Sequence, residues 1–289
     1  MTGMLGSRVV ASEPLRWGFD AASRLVTLDS GRRVVVQRRR VDPGGAGTTL
    51  GSHALSLGSV IGVLQAAGIV VPTLLASSIE QGHEWLVFAQ VDGVPGPELL
   101  ADPRRGPLLA ASMGRIARTL ATAPVESVGR GCDAWSTVGA LREGCGDWLE
   151  VLGDGAPSFR ATQLALDHVT RSPWTVAVSH GDFVPANVLV GDDDTVALLD
   201  LGDVAVRHPL LDVAWWLLIV RHHHPSLAPG LATPLLAAAG LDGAAPGAMM
   251  LASVALLRAL QLAARRTPGS AREHQLQLVR AAVVWAARA

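Results

Sequence analysis

The chain has 289 residues, 49% apolar and 17% charged, with a formal net charge of −1. That composition is globular rather than disordered, with room for one large domain or two modest lobes, and it gives no reason to expect nucleic acid or a membrane as partner. The two cysteines, Cys132 and Cys145, make neither a disulfide framework nor a zinc pattern, and the N-terminus lacks the basic-then-apolar order of a signal peptide, so a reduced, cytoplasmic setting is expected.

Residues 1–14 read as a loose lead-in. Residues 24–29 (RLVTLD) alternate apolar and polar, Ser30-Gly31 marks a tight turn, and 32–39 read as a second strand. A Gly-rich loop follows over 42–51. Leu55, Leu57, Val60, Ile61 and Leu64 then recur at helical spacing, with Gly68 placed to end the helix. Residues 70–75 and 84–91 read as strands, and the turn-rich stretch 92–97 marks a boundary between 1–91 and 92–289. Beyond it, helices are predicted at 106–122 and 135–152, a short β segment at 176–201 with a turn at 191–194, and helices at 210–221, 231–239, 249–265 and 272–287. The expected fold is α+β: a small β-rich N-lobe with one helix, and a larger, mainly helical C-lobe.

The informative segment is SHGDFVPANVLVGDDDTVALLDLGDVAVRHPLLD, residues 179–212. It holds His180-x-Asp182, Asn187 five residues later, Asp200-Leu201-Gly202 and then Asp212. Phosphoryl transfer needs a divalent metal to neutralise phosphate and a carboxylate to orient the accepting hydroxyl and take its proton. Hard metals take oxygen ligands, which a carboxylate and an amide both supply. A strand–turn–strand between Asn187 and Asp200 would return both to one end of a hairpin. The run Asp192-Asp193-Asp194 reads as a solvated turn.

This ordered set resembles the protein-kinase-like fold, and the H-G-D sequence is similar to the aminoglycoside phosphotransferase and choline kinase branch. The resemblance implies Asp182 as catalytic base, with His180 supporting the same loop. It implies Asn187 and Asp200 as metal ligands and Asp212 as an anchor of the loop backbone. It also implies ATP or GTP and Mg²⁺ as cofactors. The loop 17–23 ends in Ser23 and lies where such kinases cover the nucleotide phosphates, and Gln90-Val91 lies where adenine would meet the hinge backbone.

The sequence departs from that pattern in three places. All 24 basic residues are arginine, so the strand lysine that would hold phosphate is absent. VVVQ (34–37) puts Gln37 in its place, and a shift of one residue puts Arg38 there. Arg38 is the favoured phosphate contact, because guanidinium carries charge and binds phosphate in bidentate fashion. No Asp or Glu occurs from Pro43 through Ile79, so the helix carries no partner glutamate. Finally, Arg207-His208-Pro209 stands where the family has G-D-P.

From Val204 onward eight arginines face three acids, so a polycationic acceptor is disfavoured relative to a neutral, anionic or peptide-borne hydroxyl. The expected activity is an ATP/Mg-dependent O-phosphotransferase acting on a small molecule or on a Ser/Thr of a precursor peptide. A partner subunit in a biosynthetic complex is a further expectation. The rival readings are a non-catalytic nucleotide- or partner-binding pseudokinase, supported by the missing Lys–Glu pair, and an aminoglycoside-resistance kinase. His222-His223-His224 reads as a helix end rather than a metal site, and Trp135, Trp148, Trp174, Trp215 and Trp216 as core.

Overall fold

The computed structural model describes residues 6–15, 22–40, 52–128, 133–153, 159–242 and 247–289. The chain divides into two compact units, Met1–Pro95 with Val188–Gly202, and Gly96–Asn187 with Asp203–Ala289. The hairpin that follows Asn187 therefore groups with the N-terminal residues.

The first unit is built on a five-stranded antiparallel sheet of order β1-β2-β3-β5-β4. Its strands are β1 (Val9–Pro14), β2 (Ala22–Leu28), β3 (Arg33–Arg40), β4 (Leu74–Glu80) and β5 (His83–Ala89). Alternation puts Val26, Leu28, Val34, Val36 and Val87 in one buried cluster. Helix α1 (Ser52–Ala66) buries Leu57, Val60, Ile61 and Leu64, the spacing legible in the sequence. A second sheet has the order β6-β8-β9, with β6 (Val94–Pro95), β8 (Val188–Val190) and β9 (Val196–Leu198).

Among the elements that differ from the sequence expectation, three are instructive. Residues 9–14 form an edge strand, almost wholly exposed, whose partners lie on β2. The strand expected at 70–75 begins only at Leu74, after Pro72, which cannot donate to a ladder. Gln81 and Gly82, at φ +51° and +72°, then close a two-residue hairpin that sets the β4–β5 register. The third difference is α5 below, a helix outside every expected span.

The second unit contains α2 (Gly96–Leu99), α3 (Arg105–Thr122), α4 (Val138–Leu152), α5 (Phe159–Arg171), α6 (Leu211–His223), α7 (Ala228–Ala238), α8 (Ala248–Arg265) and α9 (Ser270–Arg288). It also holds a two-stranded ladder of β7 (Ala177–Ser179) and β10 (Ala205–Arg207). Thr137 caps α4 by accepting from the Ala140 amide at 3.0 Å. The buried face of α5, Thr162, Ala165, Leu166 and Val169, follows i, i+3, i+4, i+7. Helix α8 is the centre, packed by α4, α5, α6 and α9. It is long and apolar enough to cross a membrane, yet 72% of it is buried inside the protein, as in a core helix.

Helices α3 and α7 meet at Gly114. A Cβ there would strike the Leu235 carbonyl oxygen and lie 2.9 Å from Ala238 Cβ and 3.0 Å from the Ala239 nitrogen. Backbone cannot yield as a flexible side-chain tip can. Gly114→Ala is expected to lower unfolding free energy by about 1–3 kcal/mol, read as a drop in denaturant midpoint; an unchanged midpoint would contradict this packing.

Candidate active site

Strand β7 leads directly into His180-Gly181-Asp182, and the backbone of that turn is held by one carboxylate. Asp212, in the first turn of α6 and only 4% exposed, accepts from Ser179 Oγ at 2.8 Å, from the His180 amide at 2.8 Å and from the Gly181 amide at 3.1 Å. A carboxylate at a helix N-terminus is also favoured by the helix dipole. Gly181 has φ +85°, and a Cβ there would collide with Arg207 Nη1 and lie 2.5 Å from the Asp203 carbonyl oxygen. Both its conformation and its surroundings require glycine.

Asp182 is half-buried and held on both oxygens. Trp215 Nε1 donates to Oδ1 at 3.1 Å, and Asn187 Nδ2 donates to Oδ2 at 2.9 Å. The same Asn187 nitrogen donates to the Asp182 carbonyl at 2.8 Å, so the amide oxygen lies on the other branch of the side chain. Each carboxylate oxygen keeps a second lone pair with which to accept from a hydroxyl. His180 is fully buried, edge-on to Phe183 at 6.1 Å between ring centroids. That is the position of a support, not of a group reaching substrate.

The remaining sequence-predicted residues lie in the first unit. Val188 pairs with Leu198 across the β8–β9 hairpin, and its turn carries Asp192, Asp193 and Asp194 as exposed residues. Asp200 lies two residues beyond β9, exposed, at φ +52°. A non-glycine residue in that region is uncommon and marks a candidate functional position. Ser23 and Gln37 are cross-strand partners and share one face of the sheet. Arg38 is on the opposite face, its guanidinium 5.8 Å from the Trp85 ring centroid. Arg39 shares the face of Ser23 and Gln37, and its guanidinium packs on Gly202 so closely that a Cβ there would sit 2.5 Å from Nη2. Its cross-strand partner is the buried Glu84. The alternation of β3 thus brings Arg39, not Arg38, to the Asp200-Leu201-Gly202 segment. Gln90 donates to Asp92 Oδ1 at 2.5 Å, and Val91 follows it just past β5. The loop preceding Ser23, and Cys132, lie outside the described residues.

The sequence reading passed over a buried ionic cluster beneath the loop. Arg258, 0% exposed, donates from Nη2 to the Gly181 carbonyl at 2.6 Å and to Asp203 Oδ2 at 2.5 Å, and from Nη1 to Gln261 Oε1 at 2.6 Å. Gln261 Oε1 also accepts from Trp135 Nε1 at 3.0 Å. Arg207 donates to Asp133 at 2.9 Å and to the Asp203 carbonyl at 2.5 Å. Burial alone would raise the Asp203 carboxyl, but Arg258 and Arg207 outweigh it and hold it below the usual carboxylate range. One sequence signal was available: Arg258 is the only charged residue between Ala248 and Ala264, and an arginine in so apolar a helix requires partners.

This cluster changes the meaning of the arginine excess. Arg207, Arg258 and Arg265 are set against Asp133 and Asp203, and Arg280 pairs with Glu273. Arg221 stacks on Trp285 at 4.7 Å. Arg207 and Arg258 are buried and structural, whereas Arg265 and Arg280 stay substantially exposed, so the count alone does not set an acceptor's charge. The histidine run closes α6, with Arg221, His222 and His223 in its last turn, and among the described residues no group of three His, Cys, Asp or Glu side chains could hold a metal.

The model of the phosphotransferase enzyme family, APH, matches residues 12–250. No curated protein matches this sequence. Among solved structures, an aminoglycoside-3'-phosphotransferase of type VIII is 25% identical, with TM-score 0.59 over 89% of this chain and 93% of its own. The macrolide 2'-phosphotransferase MphH from Brachybacterium faecium is 18% identical, with TM-score 0.65 over 96% of each chain. The aminoglycoside phosphotransferase APH(4)-Ia, in a ternary complex with AMP-PNP and hygromycin B, is 16% identical, with TM-score 0.68 over 100% of this chain and 97% of its own.

His208, 8% exposed, lies edge-on to Trp174 and accepts the Leu210 amide on Nδ1 at 3.3 Å. Burial lowers its pKa from 6.5 to about 4. The folded pKa is the lower one, so the unfolded chain takes up the proton first. Stability is therefore full above pH 6.5 and falls as pH drops toward about 4, by up to about 3 kcal/mol. His208→Gln should flatten that part of the unfolding free energy against pH; a profile parallel to wild type would contradict a neutral buried His208.

Proposed function

The chain belongs to the phosphotransferase enzyme family, a hydroxyl-directed kinase by membership, and we propose that it moves the γ-phosphate of ATP onto a small-molecule hydroxyl, with Mg²⁺ as cofactor. One observation carries this reading: Asp182 is held by Trp215 and Asn187 on a loop whose amides are fixed to Asp212. A non-catalytic module has no need of a carboxylate oriented in this way.

In the proposed mechanism Asp182 accepts the hydrogen of the acceptor hydroxyl, orients that oxygen toward phosphorus and receives the proton as the new P–O bond forms. Trp215 and Asn187 keep the carboxylate from rotating, which makes attack nearly unimolecular. The Asn187 amide oxygen and the Asp200 carboxylate are hard oxygen donors suited to Mg²⁺. That ion binds through one or two side chains plus substrate phosphates and needs no all-protein cage. When bound it supplies neutralisation of phosphate charge. His180 and Asp212 act on the loop, not on substrate. Ser23 and the Gln90-Val91 backbone are proposed nucleotide contacts, and Gln37 and Arg39 share the sheet face of Ser23. We assign the phosphate-facing charge to Arg39 in place of Arg38, on the strength of its approach to Gly202 and its pairing register with Glu84. A guanidinium in that position supplies what a lysine-free chain otherwise lacks.

The acceptor is a hydroxyl compound whose charge the arginines do not dictate, so aminoglycosides stand beside neutral alcohols and Ser/Thr peptides as candidates. With γ-labelled ATP, Mg²⁺ and a panel of these acceptors, wild type should transfer label. Asp182→Asn should reduce transfer about 10²- to 10⁴-fold while still binding nucleotide. Nucleotide binding without transfer to any acceptor would sink the enzymatic reading in favour of a pseudokinase.

Separately, Arg39→Ala should weaken nucleotide binding about 10- to 100-fold, the value of a lost charge-assisted hydrogen bond, and Arg38→Ala much less. The reverse order would contradict the Arg39 assignment.

A further inference from the structure

Residues 248–264 form an apolar stretch interrupted by one charge, Arg258, and that side chain is fully buried at the centre of the second unit. A buried guanidinium is costly unless several acceptors surround it. Its three acceptors here come from three chain segments: the Gly181 carbonyl, the Asp203 carboxylate and the Gln261 amide oxygen. The first of these acceptors belongs to the peptide that joins Gly181 to Asp182. The second belongs to the residue that immediately follows Gly202 in the chain.

We propose that Arg258 is a positioning residue for phosphoryl transfer, holding the Gly181–Asp182 peptide plane and the Asp203 side chain at once and so setting the direction of the Asp182 carboxylate. This rests on the function proposed above. The geometry supports it from both sides of the Gly181 α-carbon. Asp212 holds the amides of His180 and Gly181, which belong to the two preceding peptides, whereas Arg258 holds the carbonyl of the peptide that follows. Without Arg258 the Asp212 anchors remain, but the Gly181–Asp182 plane loses the hold on its carbonyl and can turn. A second guanidinium closes the cluster: Arg207 Nη1 takes the Asp203 carbonyl while its Nη2 takes Asp133 at 2.8 Å. Stability does not call for such an arrangement, since well-packed apolar residues usually serve as well as a buried ion pair. Orientation of a reacting group does, because a displacement of about 1 Å can cost about 100-fold in rate. Lysine is not an equivalent, because an ammonium cannot spread two donor arms in one plane toward Gly181 and Gln261.

The test uses the full chain with ATP, Mg²⁺ and the acceptor from the panel above that wild type phosphorylates, and measures kcat, KM for ATP and thermal unfolding for wild type, Arg258→Lys and Asp203→Asn. Asp203 is 37% exposed at its side chain, so its variant perturbs the same bond from a less buried position. Both variants should fold, keep KM for ATP within about twofold and lose about 10- to 100-fold in kcat. A merely structural role would lower the melting temperature and leave kcat per folded molecule unchanged. If Arg258→Lys does not fold, Asp203→Asn decides alone. Folded variants with kcat within about twofold of an active wild type overturn this proposal only. A wild type that binds nucleotide and never turns over overturns the proposed function and this inference with it, and does so before either variant is measured.

Discussion

The site depends on one buried carboxylate. Asp212 gathers a hydroxyl and two consecutive backbone amides onto two oxygens, and an amide left unsatisfied at that depth would cost about 1–3 kcal/mol. The turn between β7 and Asp182 is therefore determined from below, by the helix that follows the Asp200 motif in sequence. Trp215 is three residues further along α6, one helical turn on, and donates to the Asp182 carboxylate. One helix thus fixes both the backbone of the loop and the orientation of the Asp182 side chain.

Around that anchor the protein uses arginine where stability alone would be met by apolar packing. Two guanidinium groups, Arg207 and Arg258, lie against Asp203 and take the carbonyls of Asp203 and Gly181. Their reward is directional rather than large in energy. The same cluster explains why Gly181 admits no side chain. Arg207 reaches back to Asp133 and Asp203 from β10, so it belongs to the scaffold of the loop.

The α+β class was legible from where periodicity changed. His180, Asp182, Asn187, Asp200 and Asp212 could be named as candidates before any fold was known, because they stand at fixed spacing within a strand–turn–strand pattern. What was not legible depended on packing. Helix α5 is the exception: its mean apolar content is low, yet Ala165, Leu166 and Val169 recur at helical spacing with Thr162 in the sequence itself, so the period was there to be read. The choice between Arg38 and Arg39 turns on which face of β3 looks at Gly202, and a strand alternation read without a register leaves that open. The arginine excess could not be weighed from sequence, because a residue count cannot distinguish a guanidinium in solvent from one buried against Asp203. The lone arginine in α8 was the available signal, readable as a buried charge that must have partners.

A loop that carries the proposed base, in a chain without lysine, raises the question of whether it is held ready before substrate arrives or forms around it. The bonds that Asp212 and Arg258 make to the loop are all to groups of the chain itself. Amide hydrogen exchange at His180 and Gly181 in the nucleotide-free protein tests this most directly. The account predicts protection close to that of global unfolding at both amides, with little added by ATP. Rapid exchange there that slows only when nucleotide is bound would contradict it, and would mean that ligand, not the buried carboxylate, builds the loop.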